Sequence, residues 1–328
     1  LGIASGASLM IVSGYQLYLC KFWHAAGWAT HSLLVFLYFY STCYLQITYR
    51  TSNDFARLAI ANVIQALAAL VLLILVWFMS FYGLCLRGSL SVLLTAILLY
   101  RWRPVRVAPK FSVSNLKHLA SVGLPIFIVG QVYSWWSVIN MTLVLYFMGT
   151  RGMGLYSMVV MTAGAVALLP QALIEVTYPR MSELYGKGQD TDTLMRTVAK
   201  PMYISAACMV PMVFIAWIMM DPMIRYFVPK YVDAVPAMKW SLLQPVVMCF
   251  APMNNVFNVV RRQDLYFIAI LSGMAVYGAC LFLLVRESAV LEAFPQAMLA
   301  GYTAFIITCA WFIHLIKGKE SSGRNIHE

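Results

Sequence analysis

Long apolar runs separated by short polar segments fill the chain almost to its end. A membrane-spanning helix needs about 20 consecutive, mostly apolar residues. Ten runs qualify, although serines and Gln16 dilute the first of them. The pattern therefore predicts ten membrane-spanning helices, at residues 3–20, 28–47, 58–79, 82–100, 119–147, 153–176, 201–220, 238–259, 265–285 and 294–316.

The composition supports this interpretation. The chain is 62% hydrophobic and 11% charged, whereas a soluble domain carries roughly 25% charged residues. Its net charge of +11 raises the question of a nucleic-acid partner. The basic residues, however, lie in short loops between apolar runs, as topology signals do, so no nucleic-acid binding is predicted. Most of them follow even-numbered runs, which predicts that both visible ends are cytoplasmic.

Two segments of the sequence resemble each other. YRTSNDFARLAIANV (49–63) and VRRQDLYFIAILSGM (260–274) each contain arginine, then aspartate, then an aromatic entry into an apolar run. Aligning them places the third and fourth runs on the ninth and tenth, which predicts two pseudo-symmetric bundles. The predicted units are an N-terminal bundle at 1–100 that lacks its first two helices, a basic cytoplasmic linker at 101–118, a C-terminal six-helix bundle at 119–316 and a disordered cytoplasmic tail at 317–328.

Several short motifs also carry a family likeness. With them, the chain resembles the polysaccharide flippases of the multidrug/oligosaccharidyl-lipid/polysaccharide exporter superfamily. The motifs are Gly123-Leu124-Pro125, Gly149 with Gly154-Leu155-Tyr156, Pro179-Arg180 with Glu183-Leu184-Tyr185, VPKYVDAVPAMKW (228–240) and YRTSNDFARLA (49–59).

The resemblance implies an all-α, MATE-like membrane protein with a central cavity and alternating access. It implies a transporter of undecaprenyl-diphosphate-linked oligosaccharide repeat units, in the bacterial cytoplasmic (inner) membrane, for O-antigen or other surface polysaccharide. Membrane lipids and a polysaccharide polymerase are the further partners it suggests. Many relatives carry an acidic and then a basic residue in the fifth span, where this chain has Asn140-Met141. Ion coupling through that pair is therefore not expected here.

A sugar headgroup needs a polar passage, because an unsatisfied hydroxyl in hydrocarbon costs about 4–8 kcal/mol. Arg87 is the sharpest candidate for such a passage, since an arginine inside a span rarely faces lipid. It could bind a diphosphate in a cavity, or it could extend to the outer headgroups.

Other polar residues within the apolar runs have two readings. Gln171 and Glu175 share one helix face, but Glu175 lies near the helix end, where pairing with Arg180 is the simpler account. Asn254 and Asn258, one turn apart, could line a cavity or hydrogen-bond to neighbouring helices. Gln131 has the same ambiguity, and Asn140 completes the set of cavity candidates.

Rival functions have weaker support. The seven cysteines are scattered and form no CxxC pair, so neither a metal site nor a cofactor is predicted. The 12 acidic residues form no ligand set or catalytic pair, which places a membrane-embedded enzyme of polysaccharide assembly third. A cation-coupled multidrug or small-molecule exporter of the same fold is the nearer alternative. Such exporters usually carry an acidic residue deep in a bundle.

Overall fold

The structure is a computed structural model that describes residues 2–52, 54–104, 113–287 and 290–324. The described residues are nearly all helical and contain no strand. They form two compact units, Leu1–Phe111 and Ser112–Glu328.

Unit 1 is a set of helices packed against one another. Its elements are α1 (Gly2–Tyr18), α2 (Phe22–Tyr38), a π-helical segment (Phe39–Gln46), α3 (Ile47–Thr51), α4 (Phe55–Val71) and α5 (Leu73–Trp102). The Asp54 side chain caps α4 by accepting a hydrogen bond from the Arg57 backbone nitrogen.

Unit 2 contains longer helices and one broken stretch. Its elements are α6 (Val113–Val166), α7 (Leu168–Gly186), α8 (Thr191–Phe227), a 3₁₀ turn (Pro229–Ala234), α9 (Val235–Ser241), α10 (Gln244–Met248), a second 3₁₀ turn (Ala251–Asn254), α11 (Asn255–Val259), α12 (Gln263–Glu287) and α13 (Ala293–Arg324). Pro236, Pro245 and Pro252 each stand at the start of one of the short helices between α8 and α12. Because proline lacks the backbone N–H that continues a helix, this stretch is a series of short turns.

α6 is a hairpin of two antiparallel helices. Its backbone leaves helical geometry at Gly149 (φ 65°, ψ −169°), a conformation that glycine adopts readily. Asn140 and Tyr156 are 16 residues apart, yet their side chains are joined by a 2.7 Å hydrogen bond. In a straight helix that separation would span about 24 Å. The chain therefore reverses at Gly149.

A second reversal occurs in unit 1. Ser80 has φ 48° and ψ −121°, which interrupts α5. The Arg87 Nε donates to the Ala69 carbonyl oxygen at 2.7 Å, across 18 residues of chain. A straight helix of that length would separate the two residues by about 27 Å. The first residues of α5 therefore extend α4, and the part after Ser80 packs back against it.

The hydropathy pattern is confirmed at the level of fold class, since the chain is an all-α polytopic membrane protein. In the described ranges, five helices are long and apolar enough to cross a membrane, or six if the bent pair 229–248 and 251–259 is one span. One of the five runs from Leu119 to Val166 and includes the reversal at Gly149. At 1.5 Å per residue it is more than twice as long as the roughly 30 Å hydrocarbon layer. It therefore accounts for two of the predicted runs, and the total of ten stays a prediction.

Two predicted boundaries need correction. α6 begins at Val113, inside the predicted linker 101–118, whose residues 105–112 lie outside the described part of the chain. α13 continues to Arg324, so the predicted disorder of the tail 317–328 is wrong up to that residue, and 325–328 are not described. Hydropathy marks where the apolar stretch stops, whereas backbone hydrogen bonding can continue a helix beyond the lipid. The assignment of domains otherwise stays a prediction.

The core of unit 2 is organised around Trp136, which is 1% exposed. Its ring packs against Tyr302 at 5.0 Å and against Tyr277 at 6.2 Å between ring centroids. Gly273 of α12 and Gly301 of α13 face each other beside this ring. A Cβ on either glycine would come within 2.9 Å of the other's carbonyl oxygen and within 2.7 Å of the Trp136 ring. The two helices can approach this closely only because both positions are glycine.

Replacing Gly273 with alanine should destabilise unit 2, because the added methyl group has no room beside Trp136. Overpacking of this kind costs about 1–3 kcal/mol. Gly278→Ala is the matched control on the same helix, since nothing lies within 4 Å of a Cβ there. Thermal unfolding in detergent should give a lower Tm for Gly273→Ala and a Tm at or above that of the parent for Gly278→Ala. Equal Tm values for the two variants would contradict the close crossing.

Candidate functional site

A cavity of about 430 Å³ lies within unit 2. Residues of α6, α7, α9, α10 and α13 line it. Aspartate, glutamate, lysine, arginine and histidine are absent from the lining residues that the structure describes. The polar members of the lining are Tyr133, Ser137, Asn140, Tyr156, Gln171, Ser241, Gln244 and Tyr302.

The first limb of α6 presents a polar stripe to this cavity. Tyr133, Ser137 and Asn140 are spaced four and then three residues apart, which places them on one helix face. After Gly149 the second limb contributes Tyr156 and, one and two turns later, Val160 and Ala163. The hairpin thus brings two faces of one continuous segment to the same cavity.

Asn140 is a buried polar group of the site, with 3% of its surface exposed. Its Nδ2 donates to the Tyr156 hydroxyl oxygen at 2.7 Å. The Tyr277 hydroxyl of α12 donates to the Asn140 Oδ1 at 3.0 Å. Both ends of the amide are therefore paired, as a polar group buried among membrane helices requires. The three side chains join both limbs of α6 to α12.

The opposite wall comes from the broken stretch. The Gln244 Nε2 donates to the Pro295 carbonyl oxygen at 3.1 Å, which ties the start of α10 to α13. The Ser241 hydroxyl donates to the Met238 carbonyl oxygen at 2.7 Å, within its own helix. Irregular backbone at membrane depth is tolerated where it lines a cavity or is buried in protein. The prolines of this stretch therefore position polar side chains at the cavity wall.

Two of the predicted site residues on α6 and α7 line this cavity, and two others on the same helices do not. Asn140 and Gln171 belong to the lining. Gln131 is half-buried on α6 but outside the lining, and Glu175 is exposed one turn beyond Gln171 on α7.

The asparagines before α12 lie in the broken stretch and also outside the lining. Asn254 is 5% exposed, and its Oδ1 has no hydrogen-bond partner among the described residues. Asn258 is half-buried in α11. Asn255 between them donates to the Ile174 carbonyl oxygen of α7 at 3.4 Å. This hydrogen bond packs the broken stretch against α7 at Asn255.

Arg87 belongs to unit 1. It is half-buried, and its Nε is engaged with the Ala69 carbonyl oxygen of α4 at 2.7 Å. The guanidinium therefore stabilises the hairpin of α4 and α5, and it retains further donors for another acceptor.

The described residues contain no group of three histidine, cysteine, aspartate or glutamate side chains placed to hold a metal ion. The chemistry of the cavity in the described structure is that of neutral hydrogen bonding and aromatic contact.

The comparison with known families is decisive. Residues 28–236, well over half of the chain, match the family described as polysaccharide biosynthesis protein. The chain belongs to this family. No curated protein matches the sequence.

Solved structures show which fold this polysaccharide biosynthesis protein has. It matches a MATE protein in the straight conformation with a TM-score of 0.74 and 14% identity, over 97% of this chain and 77% of that one. It matches an outward-facing multidrug resistance MATE family transporter of the MOP superfamily with a TM-score of 0.73 and 16% identity, over 97% and 77% of the two chains. A mutant of the Vibrio cholerae MATE transporter VcmN matches with a TM-score of 0.69 and 13% identity, over 98% and 78%.

At these identities the structures establish the MATE-like fold. Together with the family match, they confirm the predicted resemblance, to a polysaccharide biosynthesis family with a MATE-like fold. The chain is a multi-pass membrane protein.

Sequence reasoning missed most of the polar residues that line the cavity. Tyr133, Tyr156, Tyr302, Ser241 and Gln244 were not among the predicted residues. Tyrosines in apolar runs are commonly membrane-interface or core residues, so their presence alone carried no signal. The spacing of Tyr133, Ser137 and Asn140 could have revealed one polar stripe. No pattern in the sequence indicated that α6 packs against α9, α10 and α13.

The Asn140 network predicts a stability difference between two tyrosine variants of this protein. Tyr277→Phe removes the donor to the buried Asn140 Oδ1 and should lower the free energy of unfolding by about 1 kcal/mol, since such bonds in membranes contribute about 0.6–1.7 kcal/mol. Tyr302→Phe is the control, because the structure gives the Tyr302 hydroxyl no partner of this kind. Equal unfolding midpoints for the two variants in the same detergent would show that the network does not stabilise the fold.

Proposed function

We propose that this protein is a transporter, a flippase that moves lipid-linked oligosaccharide repeat units across the bacterial cytoplasmic membrane for surface polysaccharide assembly. The carrier lipid is undecaprenyl diphosphate. The observation that carries the proposal is the uncharged cavity of unit 2, lined by tyrosines, amides and hydroxyls, in a member of a polysaccharide biosynthesis family.

The physical task is to carry sugar hydroxyls past hydrocarbon. Each unsatisfied hydroxyl costs about 4–8 kcal/mol on a water-to-cyclohexane scale. The cavity offers hydrogen-bonding groups from Ser137, Gln171 and Ser241, together with aromatic surface from Tyr133 and Tyr302. Its volume of about 430 Å³ falls within the range of about 300–1,000 Å³ for small-molecule sites. A neutral glycosyl group matches this chemistry.

A cation-coupled exporter is the alternative on the same fold. Exporters of this kind usually bind the coupling cation at a carboxylate within a bundle. The described lining of this cavity contains no carboxylate, and Asn140 is neutral, with its Nδ2 and its Oδ1 each hydrogen-bonded to a tyrosine. The uncharged lining therefore favours a sugar substrate over a cationic drug.

The orientation and the partners follow from the same proposal. Both visible ends face the cytoplasm by the distribution of basic residues. The prenyl tail stays in lipid while the headgroup crosses, and a polysaccharide polymerase receives the repeat unit on the far side.

The first test uses the source cell, with the full-length gene deleted while the first sugar transferase is repressed. After that repression is released, undecaprenyl-linked oligosaccharide is quantified on each membrane face. A flippase gives accumulation on the cytoplasmic face and loss of surface polysaccharide. Unchanged surface polysaccharide would favour the exporter, and disappearance of the lipid-linked oligosaccharide would indicate an enzyme of its synthesis.

Gln171→Leu should slow flipping in complementation of this strain, because a hydrogen-bonding group of the cavity is lost without disturbing a buried contact. A lost hydrogen bond of about 1 kcal/mol corresponds to a roughly five-fold lower rate. Gln189→Leu, at an exposed position after α7, is the matched control and should complement fully. Equal complementation by the two variants at equal membrane abundance would show that the Gln171 side chain does not contribute to flipping.

Arg87→Ala should abolish flipping, because it removes a half-buried cation from a membrane helix and the α4–α5 hydrogen bond with it. Arg87→Lys should retain part of the activity, since it keeps the charge but not the planar Nε donor. Membrane abundance of both variants is measured by immunoblotting. Normal complementation by Arg87→Ala at normal abundance would exclude a role for this cation.

A further inference from the structure

Two spans of unit 2 are interrupted at the wall of its cavity. The first span consists of the second limb of α6 together with α7, and its helix is interrupted at Ala167. The second is the broken stretch, whose parts 229–248 and 251–259 meet at an angle of 50°. Ala167, Met248 and Ala251 all line the cavity. Both interruptions therefore lie beside the same open space.

A proline accounts for each interruption. Pro170 lies in the first turn of α7, and Pro252 lies in the second 3₁₀ turn. Because proline has no backbone N–H, Pro170 cannot donate to the carbonyl oxygen of Val166, four residues earlier. Pro252 in the same way cannot donate to the carbonyl oxygen of Met248. Each missing helical bond removes a restraint on bending at that point.

Polar contacts connect the two spans on either side of the interruptions. On one side, the Ser241 hydroxyl of α9 lies 3.3 Å from the Val159 carbonyl oxygen of α6. On the other side, the Asn255 Nδ2 of α11 donates to the Ile174 carbonyl oxygen of α7 at 3.4 Å. Val159 precedes Ala167 by eight residues, and Ile174 follows it by seven. The interruptions of both spans thus lie between the two contacts.

The packing of the helices follows the same division. α6 packs against α9, whereas α7 packs against the second 3₁₀ turn and α11. Each half of one span is therefore attached to the corresponding half of the other span, and the two halves of each span are joined only through an interrupted helix.

We propose that the two interruptions form one paired hinge, at which α7 and α11 bend together relative to α9 and the second limb of α6. Val160 and Gly164 line the cavity before the hinge, and Gln171 and Ile174 line it after the hinge. Bending therefore changes the distance between two parts of the cavity wall. Nothing lies within 4 Å of a Cβ built on Gly164, so the wall has room for this movement. The use of the hinge in transport rests on the proposed function, whereas the bending itself does not.

Proline also occurs in membrane helices as a fixed kink without motion. Two features distinguish the paired hinge from such a kink. The neighbouring span is interrupted between the same two polar contacts, and open space lies on the inner side of the break. A fixed kink requires neither of them.

The test measures the distance between two spin labels by pulsed electron paramagnetic resonance, with the full chain in nanodiscs. The labels are unnatural amino acids at the exposed positions Arg151 and Lys187, so that the seven cysteines stay in place. The two positions are 36 residues apart, which corresponds to about 54 Å in a straight helix. The parent should give a broad or two-component distance distribution, because the span exchanges between bend angles.

Pro170→Ala should narrow this distribution, because it restores the N–H that can donate to the Val166 carbonyl oxygen. One regained helical hydrogen bond shifts the equilibrium toward the straight span by about five-fold. Gly164→Ala is a second variant, which stiffens the same span without a steric clash. Pro211→Ala in α8, outside the lining, is the matched control and should give the distribution of the parent. Equal widths in the parent and in both stiffened variants would overturn the proposal.

A second pair of labels, at the exposed positions Lys230 and Arg262, reports on the broken stretch. Pro170→Ala should narrow this distribution as well, because the two spans bend together. A second distribution that Pro170→Ala leaves unchanged would show that the spans bend independently, and the paired hinge would be wrong.

Bending and flipping are measured separately. In complementation of the deletion strain, Pro170→Ala should flip about five-fold more slowly at equal membrane abundance, whereas Pro211→Ala should complement fully. If the widths are equal while gene deletion still traps oligosaccharide on the cytoplasmic face, the flippase stands and the hinge is wrong. If Pro170→Ala narrows both distributions while gene deletion leaves surface polysaccharide unchanged, the hinge stands and the flippase function is wrong.

Discussion

Hydrocarbon offers no hydrogen-bond partner, and this constraint governs where polar groups lie in the chain. Asn140 is buried at 3% exposure, and two tyrosines satisfy its amide. The Arg87 Nε–H donates to the Ala69 carbonyl oxygen of the neighbouring helix. The irregular segment between α8 and α12 turns a side chain, Gln244, toward the backbone of α13. Each of these three polar groups thus also fixes the position of a helix.

Close packing then determines where the cavity of unit 2 is. Gly273 and Gly301 let α12 and α13 approach so closely that a Cβ at either position would lie 2.9 Å from the other's carbonyl oxygen. Trp136 fills the notch beside them, and its contacts with Tyr277 and Tyr302 connect this crossing to the Asn140 network. Because these helices are held together on one side, the space between α6, α7 and the broken stretch stays open on the other. The cavity is therefore a consequence of tight packing elsewhere in the unit.

Charged side chains are concentrated at helix ends and away from this cavity. Lys317 of α13 pairs with Asp192 at the start of α8, with 2.9 Å between Nζ and the carboxylate oxygen. Lys239 of α9 pairs with Asp221 near the end of α8. The described lining of the cavity, in contrast, contains only neutral side chains. Ion pairs thus connect the ends of helices, whereas neutral hydrogen-bonding groups face the cavity.

The sequence by itself determined the fold class, because the length and apolarity of the runs leave membrane-spanning helices as the only solution. Gly149 and the motifs around it also indicated the family before any coordinates. The sequence predicted Asn140 and Gln171 as cavity residues, but it also proposed Gln131, Glu175, Asn254 and Asn258, which lie outside the lining. Nor did it predict Tyr156, Tyr302 and Gln244, which line the cavity. Only the tertiary structure decided between them, since periodicity defines which residues share a helix face but not which other helix that face meets.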